Sequence, residues 1–159
     1  MTLSQVIHTI ELVAGGQPTI HSIVRNDIFR LNTYPDAKYG VFGWTQGQHA
    51  SEIGSSLITY RFTFFYIDRL THDLGNQIEI QSVGIQALDN ILRLLENAGL
   101  YSSSEVTYTT FNQRFQDECA GVFASVAFQV PVQGMCGESF ADFNNDFNED
   151  FAISDVTIY

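Results

Sequence analysis

Beyond Arg114 the sequence contains no lysine and no arginine, although eight acids lie there: Asp117, Glu118, Glu138, Asp142, Asp146, Glu149, Asp150 and Asp155. The preceding residues hold ten acids and all seven bases, so a net charge of −11 is concentrated in the last quarter of the chain. Without a basic stripe a protein has no means of releasing phosphate counterions, which excludes tight electrostatic binding to nucleic acid. It leaves open a surface past which nucleic acid moves without sticking. Cysteine is equally scarce. Cys119 and Cys136 are the only two, and they match no metal-ligand spacing, so two thiols in a reducing compartment are expected rather than a disulfide. No run of 18 apolar residues occurs, so no membrane-spanning helix is expected. The start, MTLSQVIHTIEL, lacks a basic n-region and a cleavage site, so no secretory signal is expected.

What is present is enough for a core. The 159 residues are 45% hydrophobic and 13% aromatic, which suits one ordinary domain and lies far from the disordered class. Val6, Ile10 and Val13 form a helical stripe over 4–14, with Thr2 or Ser4 as N-cap and Gly15-Gly16 as its end. A short strand is expected at 20–24, then an irregular return, with a turn at Pro35-Asp36. YGVFGWTQG reads as a glycine-rich strand that is bulged or at an edge. QGQHASEIGSS reads as a loop.

The strongest strand signal is LITYRFTFFYIDRL, 57–70. Ile58, Tyr60, Phe62, Phe64 and Tyr66 alternate with Thr59, Arg61, Thr63, Phe65 and Ile67. Its length predicts a strand that runs past the domain body or pairs with a neighbour. Ile80, Gly84, Leu88, Ile91 and Leu95 predict a long helix over 76–97, capped by Gly99. Gly84 costs about 1 kcal/mol in a helix interior, so it is expected to mark close packing on the sheet. EVTYTTF and AGVFASVAFQVP read as two further strands, the second ended by Pro131. The predicted fold is α+β: an antiparallel sheet with one long helix and a shorter N-terminal helix on one face. The domain is expected over 1–131, followed by an acidic arm over 132–159.

Signatures of chemistry are few. His8, His21, His49 and His72 show no HExxH or HxH spacing and read as ordinary hydrogen-bonded or surface histidines. GESFA (137–141) begins like a nucleophile elbow but has Ala141 in place of the final glycine, and lacks the parallel strand–turn–helix context. GVFGWTQG is not G-x-G-x-x-G. Asp117-Glu118, and Asp68 with Asp73, read as solvated strand ends. The Asp68-Arg69 pair reads as a local or inter-subunit ion pair. Asp142, Asn144 and Asp146 fit the first positions of an EF-hand loop, but Phe147 stands where the loop needs glycine and Ile153 where it needs glutamate. No enzyme, cofactor or metal site is expected. The phenylalanines of SFADFNNDFNEDF are spaced three, four, four, at Phe140, Phe143, Phe147 and Phe151. That is an apolar stripe on a segment of poor helix formers. Such a stripe either folds back on its own core or orders against another chain.

Three segments resemble the tail-terminator and neck-ring proteins of tailed bacteriophages, including head–tail connector components of Bacteroides-infecting, crAss-like phages. They are SLITYRFTFFYIDRLTHD, QSVGIQALDNILRLLEN and FNQRFQDECAGVFASVAFQVP, together covering residues 56–131. The acidic arm is not part of that pattern. The resemblance implies a structural virion protein of the neck or tail, assembled in the host cytoplasm. It implies a ring of 6 or 12 copies that contacts portal, neighbouring ring or tail proteins and lets DNA pass without specific binding. The contacts expected to hold such a ring are Phe140, Phe143, Phe147 and Phe151 on the arm and Arg61, Phe65, Asp68 and Arg69 on the long strand. The alternative is a small-ligand or protein-binding α+β module of cellular origin.

Overall fold

The structure, a computed structural model, describes residues 1–27, 36–51, 56–72, 75–102, 106–112, 118–131 and 157–158. Helix α1 (Leu3–Gly15) starts at a capping box: the Thr2 hydroxyl accepts from Gln5 N–H, and the Gln5 side chain accepts from Thr2 N–H at 2.7 Å. Two donors that a helix N-terminus leaves unpaired are thereby satisfied. Val6, Ile10 and Ala14 form its buried stripe.

Strands β1 (Ser22–Arg25) and β2 (Val41–Gln46) follow, then the short β3 (Ala50–Ser51) and the long β4 (Leu57–Arg69). Helix α2 (Gln77–Asn97) comes next, and β5 (Tyr101–Ser102), β6 (Thr107–Asn112), β7 (Cys119–Pro131) and β8 (Thr157–Ile158) complete one eight-stranded sheet. Asn76 joins β4 to α2. Its carboxamide oxygen accepts from the N–H and hydroxyl of Thr71, and its NH2 donates to the Arg69 carbonyl. At the other end Gly99, at φ +87°, lets Leu100 N–H reach back to the Leu95 carbonyl. That is the left-handed C-terminal turn that glycine permits.

The spine of the sheet is β4 against β7, paired antiparallel over all thirteen rungs from Leu57↔Pro131 to Arg69↔Cys119. The path runs β5-β7-β4-β2-β1-β8, with β6 also on β7 and β3 also on β4. β4 therefore has β7 along one edge and β2 and β3 along the other. Its length is used inside the chain, and it offers no edge on which to pair with a neighbour's sheet. The fold class is α+β, with one refinement: β1 runs parallel to both β2 and β8. Before β2, Ala37 and Tyr39 pack against the face opposite the helices. Between them, Lys38 exchanges two hydrogen bonds with the buried Ser22 hydroxyl.

Of the two readings of the glycine-rich strand, β2 is interior rather than at an edge, and a bulge follows it inside the stretch expected to be a loop. From Gln46 to Ala50 is four steps, whereas their partners Phe62 and Thr59 are three steps apart, so β2 and β3 are one strand with an extra residue between them. At the break, Gly47 N–H donates to the Arg61 carbonyl and the His49 ring accepts from Arg61 N–H.

Both helices pack on one face, over Ile23, Phe42, Trp44, Tyr60, Phe62, Phe64, Tyr66, Val122, Val126 and Phe128. Gly84 provides the close approach anticipated for it: a Cβ there would lie 2.9 Å from the Tyr66 ring and 3.0 Å from Val122. The opposite face has a smaller core of Val24, Val41, Phe65, Ile67, Phe111 and Cys119, covered in part by Ala37 and Tyr39. Cys119 is a buried thiol donating to the Tyr39 hydroxyl. Cys136 lies outside the described residues.

Candidate interaction surfaces

Pleating sends Arg61, Phe65 and Arg69 to the face opposite the helices, and Asp68 to the helix side. Phe65 is buried beneath the second core and is no free contact in the single chain. Its ring lies over Gly43, its register partner. Asp68 and Arg69 do not pair with each other through their side chains, because consecutive strand residues point to opposite faces. Asp68 accepts from Arg69's own N–H at 2.7 Å and from the Tyr66 hydroxyl at 3.4 Å. The guanidinium of Arg69 stands 5.6 Å from the centre of the Tyr39 ring, in cation–π range. Burial, with the Asp68 carboxylate next, raises the Tyr66 pKa strongly. Arg61 is exposed and donates to the Gln48 carbonyl, bracing the bulge. Phe140, Phe143, Phe147 and Phe151 lie outside the described residues, as do Asp73 and Asp117.

Beyond the second core the described residues of the same face are polar, with no acid among them. Thr45, Thr63, Ser125 and Thr107 are successive register partners on β2, β4, β7 and β6, and form one rung of hydroxyls across four strands. Thr59, Arg61, Ala127 and Gln129 continue the surface toward the end of β7. In a chain of net charge −11, a surface whose described residues include Arg61 and no carboxylate is a segregated one. The rung ends on β6, which pairs only with β7 among the described residues. Thr107, Thr109 and Thr110 are exposed along this edge. The strand TYTTFN has no charge and no proline, the devices that usually blunt an edge against further pairing.

The chain matches no protein-family model. No curated protein matches it either. The surfaces must therefore be read from their own chemistry. Among the described residues no group of three or more His, Cys, Asp or Glu is arranged to hold a metal ion, and no helix is long and apolar enough to cross a membrane. His8, His21 and His72 are exposed, and His49 fills the bulge.

Two polar clusters were not anticipated from the sequence. Glu11, in the middle of α1, is buried. It receives both Nε and NH2 of Arg25 at 2.5 Å and Trp44 Nε1 at 3.3 Å. The hydrogen bond to Glu11 raises the Arg25 pKa further. On α2, Asp89 accepts from Arg93 at 2.7 Å and from the Tyr108 hydroxyl at 3.3 Å, tying the edge strand β6 to the helix. Burial and then the Asp89 charge push the Tyr108 pKa up to about 12. An acid on the apolar stripe of α1 is the one hint that Glu11 gives in sequence. The Asp89–Tyr108 pair is nineteen residues apart and has none.

Proposed function

We propose that this protein is a structural assembly subunit, a ring-forming component of a phage neck or tail that builds a channel for DNA. The observation that supports the reading is an edge strand, β6, that carries no charge and pairs only with β7 among the described strands, next to a face with no acid among its described residues. Two different edges of one sheet, β6 on one side and β1 with β8 on the other, suit head-to-tail association, which closes into a ring when the rotation allows. Main-chain hydrogen bonds along β6 would supply affinity, and the hydroxyl rung beside it would accept a close-fitting neighbour. The acids of 132–156 supply the negative charge that keeps a channel from trapping DNA. The resemblance over 56–131 supports the phage assignment, and the uncharged edge strand supports the assembly.

The test is the mass of the purified chain under native conditions and its appearance in electron micrographs. Closed rings of 6 or 12 copies are expected. A monomer at high concentration, with no portal or tail partner able to change it, would remove the reading. The gene is expected to lie among portal and tail genes.

A further inference from the structure

Arg61 turns both of its main-chain groups toward the bulge between β2 and β3. Its carbonyl accepts from Gly47 N–H at 2.8 Å, and its N–H donates to His49 Nδ1 at 3.2 Å. In an unbroken antiparallel ladder a residue so placed exchanges both bonds with one main-chain partner. The extra residue of the bulge breaks that exchange, and an imidazole stands in for the missing carbonyl. A backbone N–H can only donate, so Nδ1 must present a lone pair. The proton of the neutral ring is then on Nε2, which donates to Gln46 Oε1 at 3.3 Å. Gln46 in turn donates to Asn26 Oδ1 at 3.3 Å, just past the end of β1. One main-chain N–H on β4 thus fixes the direction of three hydrogen bonds that reach across to β1.

The ring is half-buried, edge-on to Tyr60 at 5.3 Å between centres and 5.9 Å from Phe62. Around it β4 supplies one charge, the Arg61 guanidinium, which donates to the Gln48 carbonyl at 3.0 Å. It also supplies one titratable hydroxyl, that of Tyr60. From β2 the ring meets the neutral amide of Gln46. Beyond that amide, β1 ends in Arg25, which Glu11 holds, followed by Asn26 and Asp27. Among the described residues no carboxylate pairs with the imidazole. An imidazolium carries a donor on both ring nitrogens. Here its Nδ1–H would face Arg61 N–H, and the charge beside it is a guanidinium rather than a carboxylate.

We propose that His49 is an acid-sensitive latch on this side of the sheet: the neutral imidazole holds the bulge on β4, and the imidazolium releases it. Histidine is the side chain whose ordinary titration falls between about pH 5 and 8. β3 is two residues long and pairs only with Thr59 and Ile58 of β4 among the described residues. β2 covers β4 only from Phe62 to Ile67. The bulge and β3 therefore cover the rest of that side, and their release uncovers Ile58, Thr59, Tyr60 and Arg61. That stretch has no proline and no acid, so it can accept an added strand. The proposal concerns the single chain and does not depend on its assembly.

Nitrogen NMR of the full-length chain tests it, with the His49 ring identified by its loss in His49→Asn. At neutral pH the ring is expected in the Nε2–H form. Amide exchange is then followed as the pH is lowered, corrected for the intrinsic effect of pH on exchange. Arg61 and Gly47 are expected to lose protection about tenfold over the range in which the ring takes up its proton. That is the size expected when one hydrogen bond gives way to two opposed donors. The cross-strand NOE between β3 and Thr59 should weaken over the same range, while amides in the β2–β4 ladder keep their protection. His49→Asn places an acceptor near the Nδ1 position and does not titrate, so it is expected to hold Arg61 N–H at every pH. His49→Ala is expected to leave Arg61 poorly protected throughout. An Nδ1–H tautomer overturns the proposal. So does an Arg61 amide indifferent to protonation of the ring, or an asparagine variant that opens with acid as the wild-type chain does.

Discussion

Gly43 and Phe65 show how single residues set the packing of the second core. A Cβ on Gly43 would lie 2.1 Å from the Phe65 ring and 2.9 Å from the Val24 carbonyl, so the ring can lie flat on the strand only because the side chain is missing. Gly43→Ala is expected to cost about 1–3 kcal/mol as overpacking. Pairing it with Phe65→Leu should cost less than the sum of the two single changes, read from urea midpoints at constant m. The Glu11 cluster gives a second residue-scale outcome. Arg25→Met strands a buried carboxylate and is expected to cost about 3 kcal/mol. Adding Glu11→Gln removes the charge while keeping an acceptor for Trp44, and should recover most of that loss. If the double variant is no more stable than Arg25→Met, Glu11 is not held as a charge.

At the scale of elements, β6 is held from two directions: by the ladder to β7 and by the Tyr108 hydroxyl on Asp89 of α2. The Tyr108 pKa is about 12 in the folded chain, against about 10 when unfolded. The unfolded state therefore releases this proton first. The stabilisation is complete below about pH 10 and is lost as pH rises toward 12. Titration of the Tyr108 ring carbon by NMR should give the raised value. Asp89→Asn should lower it without restoring the ordinary value, since burial is the larger cause. The same variant should increase amide exchange along β6 relative to β7. An unchanged Tyr108 titration in Asp89→Asn would show that the carboxylate does not act on it.

For the whole molecule, the distribution of charge and of open edges matters more than any one site. Acids are concentrated beyond Phe115, the described residues of the face beside β6 include none, and the sheet ends in two chemically different edges. Placing lysines at Thr107 and Thr109 would put like charges on an exposed edge. If β6 is an assembly edge, this double change should dissociate the oligomer while shifting Tm by no more than a few degrees, measured by native mass and thermal melting. An oligomer unaffected by both lysines would place the contact elsewhere.

The sequence by itself determined the α+β class, the extent of β4, α2 and β7, and the role of Gly84. These are local matters: period-2 alternation, a 3.6-residue stripe and a glycine without a turn to explain it are all visible within a few residues. Only the tertiary structure decided that β4 has no free edge, that Phe65 lies in a second core, and that Asp68 and Arg69 diverge. It also decided that β1 is parallel to β2 and β8. The physical reason is that these facts depend on which strand lies beside which. Neighbours in this sheet are joined across as many as 135 residues, as between Ser22 and Thr157, and no short-range pattern records a partner at that distance.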